Sequence, residues 1–131
     1  MRILVVDDHA LVRESLAHRL RLEPDLEVVG EAWDGKLAVE LAQELRPDVV
    51  LMDIGMPVLD GVQATRAIHA QCPEICIIGL SMFPHDQQGE ALQAAGAMEY
   101  VTKSAPLAVL LTVLRGGYMR SRKELPPQAA A

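Results

Sequence analysis

Four places along the 131-residue chain put reactive side chains directly after, or at the end of, an apolar run. Asp7 and Asp8 follow ILVV at 3–6, Asp53 follows VVLM at 49–52, Ser81 follows ICIIGL at 75–80, and Lys103 follows MEYVT at 98–102. Singly, each has an ordinary explanation. Asp8 could cap a helix, Asp53 could be a loop residue, Ser81 could cap the next helix, and Lys103 could be a solvated lysine. Together they offer three carboxylates, a hydroxyl and an ammonium. Three carboxylates drawn close repel, so they need a cation or raised pKa values. Hard oxygen donors of this kind suit Mg²⁺ or Mn²⁺, which share substrate phosphate oxygens. A carboxylate beside such an ion can attack phosphorus and form an acyl phosphate. Phosphoryl transfer asks chiefly for positioning and charge neutralisation. Lys103 and the Ser81 hydroxyl would supply part of that.

The elements that must position these groups are legible as periodicity. The runs at 3–6, 49–52 and 75–80 are continuously apolar, as in strands buried on both faces. LEVVGEA at 26–32 alternates, which predicts a sheet edge, and 98–102 is a weaker fifth run. Between them lie helical spacings: Val12, Leu16, Leu20; Leu37, Leu41, Leu45; and Leu107, Leu110, Leu111, Leu114. Segments 60–71 and 86–95 are weaker helices. Pro24, Pro47 and Pro73 stand where helices stop, and Gly96 where a C-cap would. Strand and helix alternate five times. That predicts an α/β fold, a five-stranded parallel sheet with helices on both faces. Open sheets of this type bind ligands at the carboxyl ends of their strands. All the reactive groups above fall there.

Composition bounds the rest. The length suits one domain, and half the residues are apolar. A net charge of -6 argues against direct nucleic-acid binding by this chain. No apolar run approaches the roughly 20 residues of a membrane span. MRILVVDDH carries no signal segment, which predicts a cytoplasmic protein. Cys72 and Cys76 are expected to be reduced core residues. His18, His69 and His85 are expected at the surface, His9 outside any metal role, and Trp33 partly packed on the core. From Gly116 the chain reads GGYMRSRKELPPQAAA. That composition predicts a domain at 1–116 and a linker-like tail at 117–131, with no output domain following.

VVDDH at 5–9, MDIGMPVLDG at 52–61, GLS at 79–81 and AGAMEYVTK at 95–103 together closely resemble the receiver domain of two-component response regulators. The likeness spans about residues 2–116. It is greatest to the subfamily with a C-terminal helix-turn-helix output domain of LuxR/NarL type. The resemblance implies the flavodoxin-like strand order 2-1-3-4-5. It makes Asp53 the phospho-acceptor. Asp7, Asp8, Asp53 and the Gly55 carbonyl would ligate Mg²⁺. Ser81 would be the switch hydroxyl, Lys103 the phosphate partner and Tyr100 the switch aromatic. Pro57 and Gly61 would shape the loop after Asp53. The implied partner is a sensor histidine kinase. DNA would be reached only through an output domain. A homodimer would use the last helix, which carries Val109 and Val113 on a second side, or the face built by the fourth helix, fifth strand and last helix. Such a chain phosphorylates and dephosphorylates itself without being a turnover enzyme.

Some residues depart from the pattern. Ser104 follows Lys103 where the family often has a proline, which here comes at Pro106. Met82 follows Ser81 where a small residue is frequent, and Phe83 stands beside it. Gly55 has no side chain to position hydrolytic water, which predicts slow dephosphorylation. It also argues against a phosphatase resembling the haloacid dehalogenases, which would want an aspartate there. A flavin carrier of this fold would want a phosphate-binding first loop, and Asp7-Asp8 repels phosphate. A pseudo-receiver that binds partners without phosphorylation is the remaining alternative.

Overall fold

The computed structural model describes residues 1–56, 60–82 and 87–124. Pro57, Phe83 and His85 lie outside the described residues, as does the tail from residue 125. Elements alternate strictly: β1 (Arg2–Val6), α1 (Ala10–Arg21), β2 (Glu27–Ala32), α2 (Gly35–Leu45), β3 (Val49–Asp53), α3 (Gly61–Gln71), β4 (Cys76–Ser81), α4 (Gln87–Ala94), β5 (Glu99–Thr102) and α5 (Leu107–Glu124). The strands pair in parallel in the order β2-β1-β3-β4-β5. β2 is an edge, as its alternation predicts.

The continuous apolar runs are explained by two cores, one on each face of the sheet. Leu4, Val6, Val50, Met52 and Ile77 face α2, α3 and α4, meeting Ala38, Ala42, Ala64, Ile68 and Leu92. Their neighbours Ile3, Val5, Val49, Leu51, Ile78 and Leu80 face α1 and α5, meeting Ala17, Leu20, Leu110, Leu111 and Leu114. Successive strand residues point to opposite faces, so both sets must be apolar. Cys72 and Cys76 are buried and form no disulfide. Gly96 takes a positive φ of 128° after α4, a conformation that suits glycine at a helix end.

Three expectations need correction. The buried stripe of α1 is Arg13, Ala17 and Leu20, with Val12 exposed. The helix begins close to the polar rim of the sheet, and a donor is needed there more than an apolar group. Trp33 is exposed. Ala32, the last residue of β2, turns inward, so the next side chain turns out. Finally, the backbone does not break at Gly116. α5 continues to Glu124, with Gly117 and Ser121 buried and Tyr118 packed on the core. A Cβ on Gly117 would lie 2.9 Å from Ile78 Cδ1, so this glycine allows close helix–sheet approach inside the helix.

No helix among the described residues is long and apolar enough to cross a membrane.

Candidate functional site

β1, β3, β4 and β5 all end at one rim of the sheet. Central strands are buried on both faces, so the first polar residue after each run marks where the chain leaves the core. Asp7 follows β1, Asp53 and Ser81 end β3 and β4, and Lys103 follows β5. Parallel registry then sets them side by side: Asp53 is opposite Leu80, and Ser81 is opposite Thr102. The Lys103 N–H donates to the Ser81 carbonyl at 2.6 Å, which carries the β4–β5 pairing onto the rim.

Lys103 is the hub. Its Nζ lies 3.0 Å from Asp7 Oδ2 and 3.0 Å from Asp53 Oδ1. Asp7 is fully buried, and Asp53 and Ser81 nearly so. Burial, then the charge of Asp7, push the Asp53 carboxyl up to about 6, against the pull of Lys103. Burial acts upward on Asp7 too. The His9 backbone N–H and Lys103 outweigh it and hold Asp7 below the usual carboxylate range. Burial likewise opposes the Lys103 charge, yet hydrogen bonds to Asp7 and Asp53 hold its ammonium above the ordinary value.

One ammonium does not balance three carboxylates. Asp53 Oδ2 is buried without a hydrogen-bond partner. A buried, unpaired carboxylate oxygen is costly unless a cation or acid proton meets it. Ligand atoms of Asp7, Asp8, His9 and Asp53 all lie within 4.8 Å of one another. The donor set therefore fits a hard divalent cation. Beside it opens a cleft of about 520 Å³, lined by His9, Asp53, Gly55, Met82, Gln87 and Lys103 among others. Met82 is 63% exposed at this mouth, so it borders access to Asp53.

The surrounding backbone is tightly held. The Gly55 N–H is 3.4 Å from Asp53 Oδ1. Gly61 opens α3, and its N–H donates to the Ile54 carbonyl at 3.2 Å. A Cβ there would lie 2.2 Å from the Asp53 carbonyl oxygen, so only glycine lets α3 start this close to the β3 end. Asp60 caps α3 by accepting from the Gln63 N–H at 2.8 Å. Asp8, by contrast, is not a helix cap. His9 is the N-cap residue of α1.

Tyr100 is half-buried on β5, opposite Gly79 of β4. Its ring lies against Gly89 of α4, where a Cβ would stand 2.7 Å from two ring carbons. The Lys103–Ser104 peptide bond is trans.

Sequence reasoning missed two residues. Arg13 is buried, and its Nη1 donates to the Asp7 carbonyl at 2.9 Å while Nε meets Glu31 Oε1 at 3.3 Å. Its position one residue beyond Val12 within α1, on the inward side of the first turn, was the available signal. His9 is the other. Expected outside any metal role, it has its Nδ1 3.1 Å from Asp8 Oδ1 and 3.3 Å from Asp7 Oδ1. On α5, Val109 is exposed and Val113 packs partly on the core, so only the first stays on an open face.

Comparison with known proteins is concordant along almost the whole chain. The response regulator receiver domain matches residues 3–115. The chain is 42% identical over 115 residues to the transcriptional regulatory protein LiaR of Bacillus subtilis, covering 88% of this chain and 54% of LiaR. It is 38% identical over 130 residues to the response regulator GacA of Pseudomonas aeruginosa, covering 99% of this chain and 60% of GacA. The chain thus spans about half the length of the curated relatives it matches. Among solved structures, a LuxR-family two-component response regulator from Aurantimonas superposes with a TM-score of 0.85 at 34% identity, over 91% of this chain and 85% of that one.

Proposed function

The chain belongs to the response regulator receiver domain family of two-component systems, and on that premise we propose that it is a phospho-acceptor switch with Asp53 as the acceptor. The observation that carries this reading is the Asp53 carboxylate itself. One oxygen is held 3.0 Å from Lys103 Nζ, and the other is buried with no hydrogen-bond partner in the acidic cluster at the cleft.

Asp7, Asp8, Asp53 and the Gly55 carbonyl would hold the Mg²⁺ or Mn²⁺ ion, which when bound neutralises phosphate oxygen charge. A carboxylate oxygen of Asp53 forms the new bond to phosphorus. The phosphorus–nitrogen bond of a sensor kinase phosphohistidine breaks, and its imidazole leaves. Lys103 pairs with the phosphoryl oxygens, a role its anchored ammonium suits. The Ser81 hydroxyl turns to the phosphoryl group, and Tyr100 follows it inward. That changes the α4–β5–α5 face. Gly55 brings no side chain to orient water, so the acyl phosphate is long-lived. The chain acts on its own aspartate and is not a turnover enzyme.

The output is proposed from the relatives, whose greater length leaves room for a further domain. The receiver runs through the end of α5 at Glu124, and it controls a DNA-binding output domain or partner. Copies pair through α5, where Val109 and Met119 are exposed, or through the α4–β5–α5 face. The setting is cytoplasmic.

Intact mass spectrometry after incubation with acetyl phosphate tests this, run with Mg²⁺, with chelator, and on Asp53→Asn. One added phosphoryl group is expected with Mg²⁺ only, and none on the variant. An unmodified wild type, with a purified histidine kinase also failing to label it, would make the chain a pseudo-receiver that works by binding alone.

A further inference from the structure

Arg13 brings a charged group inward where an apolar one would pack. It lies on the buried stripe of α1 with Ala17 and Leu20. Its Nε meets Glu31 Oε1 of β2 at 3.3 Å, and Glu31 Oε2 also meets Arg21 at 3.6 Å. Burying a guanidinium carries a desolvation cost that such a pair barely offsets, and an apolar side chain of similar volume would hold α1 on β2 about as well. An apolar side chain cannot donate a hydrogen bond. Arg13 Nη1 donates to the Asp7 carbonyl at 2.9 Å, an oxygen just past the last β1–β2 pair at Val6. That carbonyl shares one planar peptide with the Asp8 N–H. Turning either turns the other, and with them the direction in which Asp8 leaves the strand. The rest of Asp7 is fixed by other groups. Its N–H donates to the Ala32 carbonyl at 3.0 Å, its Oδ1 accepts from the His9 N–H at 2.9 Å, and its Oδ2 lies 3.0 Å from Lys103 Nζ. Arg13 adds the contact that sets the Asp7–Asp8 peptide plane. With the plane set this way, a carboxylate oxygen of Asp8 stands within 4.8 Å of one from Asp7 and one from Asp53.

We propose that Arg13 is a positioning residue for the cation site: anchored by Glu31 of β2, it fixes the Asp7–Asp8 peptide so that the Asp8 carboxylate converges with those of Asp7 and Asp53. The inference rests on the reading that this cluster holds Mg²⁺. It gives α1 and β2, which contribute no ligand, a part in metal binding. Mg²⁺ demands near-ideal placement of its few protein oxygens, so a turned peptide is felt directly in affinity. Groups that hold a ligand in place, without touching the metal, commonly carry a tenfold or larger share of that affinity.

The test uses the full chain with Mn²⁺ as the probe, the free ion being counted by electron paramagnetic resonance. Arg13→Met is expected to bind Mn²⁺ about tenfold more weakly than wild type. In labelling by acetyl phosphate, the Mg²⁺ concentration for half-saturation should rise by a similar factor, more than the rate at saturating Mg²⁺ falls. Arg13→Lys keeps a donor and should recover part of the affinity. Glu31→Ala removes the anchor and should weaken binding less than Arg13→Met does. The double variant should bind no worse than Arg13→Met alone, because both changes act through one contact. Ile68→Val, a core loss on α3, should keep the wild-type affinity and so separates positioning from lowered stability. Circular dichroism checks each fold, and Arg13→Gln replaces Arg13→Met if the latter does not fold. Folded Arg13 variants with wild-type Mn²⁺ affinity, additive losses in the double variant, or an equal loss in Ile68→Val would overturn the role of Arg13 and leave the phospho-acceptor reading standing. A wild-type chain that binds no Mn²⁺ would overturn both.

Discussion

Replacing Asp53 by asparagine should stabilise the metal-free protein, and the gain should depend on pH. The carboxyl titrates near pH 6 in the folded chain against an ordinary 3.8, burial being the largest cause and the Asp7 charge the next. A folded-state pKa above the unfolded one means that the native state holds the proton more tightly. The stability this confers is complete below about pH 3.8 and disappears as pH rises through about 6. At pH 8 the ionised Asp53 therefore costs about 3 kcal/mol, from about 1.4 kcal/mol for each pH unit between the two values. Asparagine keeps the shape without the charge, and it recovers part of that. It gives up the 3.0 Å contact of the carboxylate with Lys103, whose favourable effect is already included in the value near 6. For a chain of this size, 1–3 kcal/mol corresponds to a rise in Tm of roughly 4–10 °C. The assay is urea and thermal unfolding of wild type and Asp53→Asn by circular dichroism, with chelator, at pH 4 and pH 8. The expected result is a more stable variant at pH 8 and near-equality at pH 4. A variant no more stable at pH 8, or a gain of equal size at both pH values, would refute the argument that a buried ionised carboxylate is uncompensated here.

Two further outcomes follow from backbone contacts at the rim. Arg13→Met leaves the Asp7 carbonyl without its buried donor, so unfolding free energy should drop by about 1–3 kcal/mol; denaturant titration showing no change would mean that water replaces the guanidinium. Gly61→Ala sets a methyl 2.2 Å from the Asp53 carbonyl oxygen, which forces α3 or the β3 end to move. Stability should fall by about 1 kcal/mol or more, and autophosphorylation measured by intact mass should slow. Wild-type stability and wild-type labelling in that variant would show that the loop yields without disturbing Asp53.

The sequence by itself determined the alternation of elements and the residues at the strand ends. Both are local. Strands buried on two faces need unbroken apolar runs, and the first polar residue after each run must fall at the rim, so Asp7, Asp53, Ser81 and Lys103 could be named without coordinates. Composition misled where a residue type carries two meanings. Gly116-Gly117 reads as a breaker, but Gly117 is a close-packing position beneath which Ile78 fits, and α5 runs on. The strand order came from family resemblance and is now seen in the sheet, since no periodicity says which strands are neighbours. Only the tertiary structure decided that Lys103 bridges Asp7 and Asp53, that Arg13 lies inward on the Asp7 carbonyl, and that His9 turns onto the acid pair. Those contacts join groups from separate strand ends and loops. They depend on how helices and strands pack across the sheet, and one-dimensional patterning does not encode those distances.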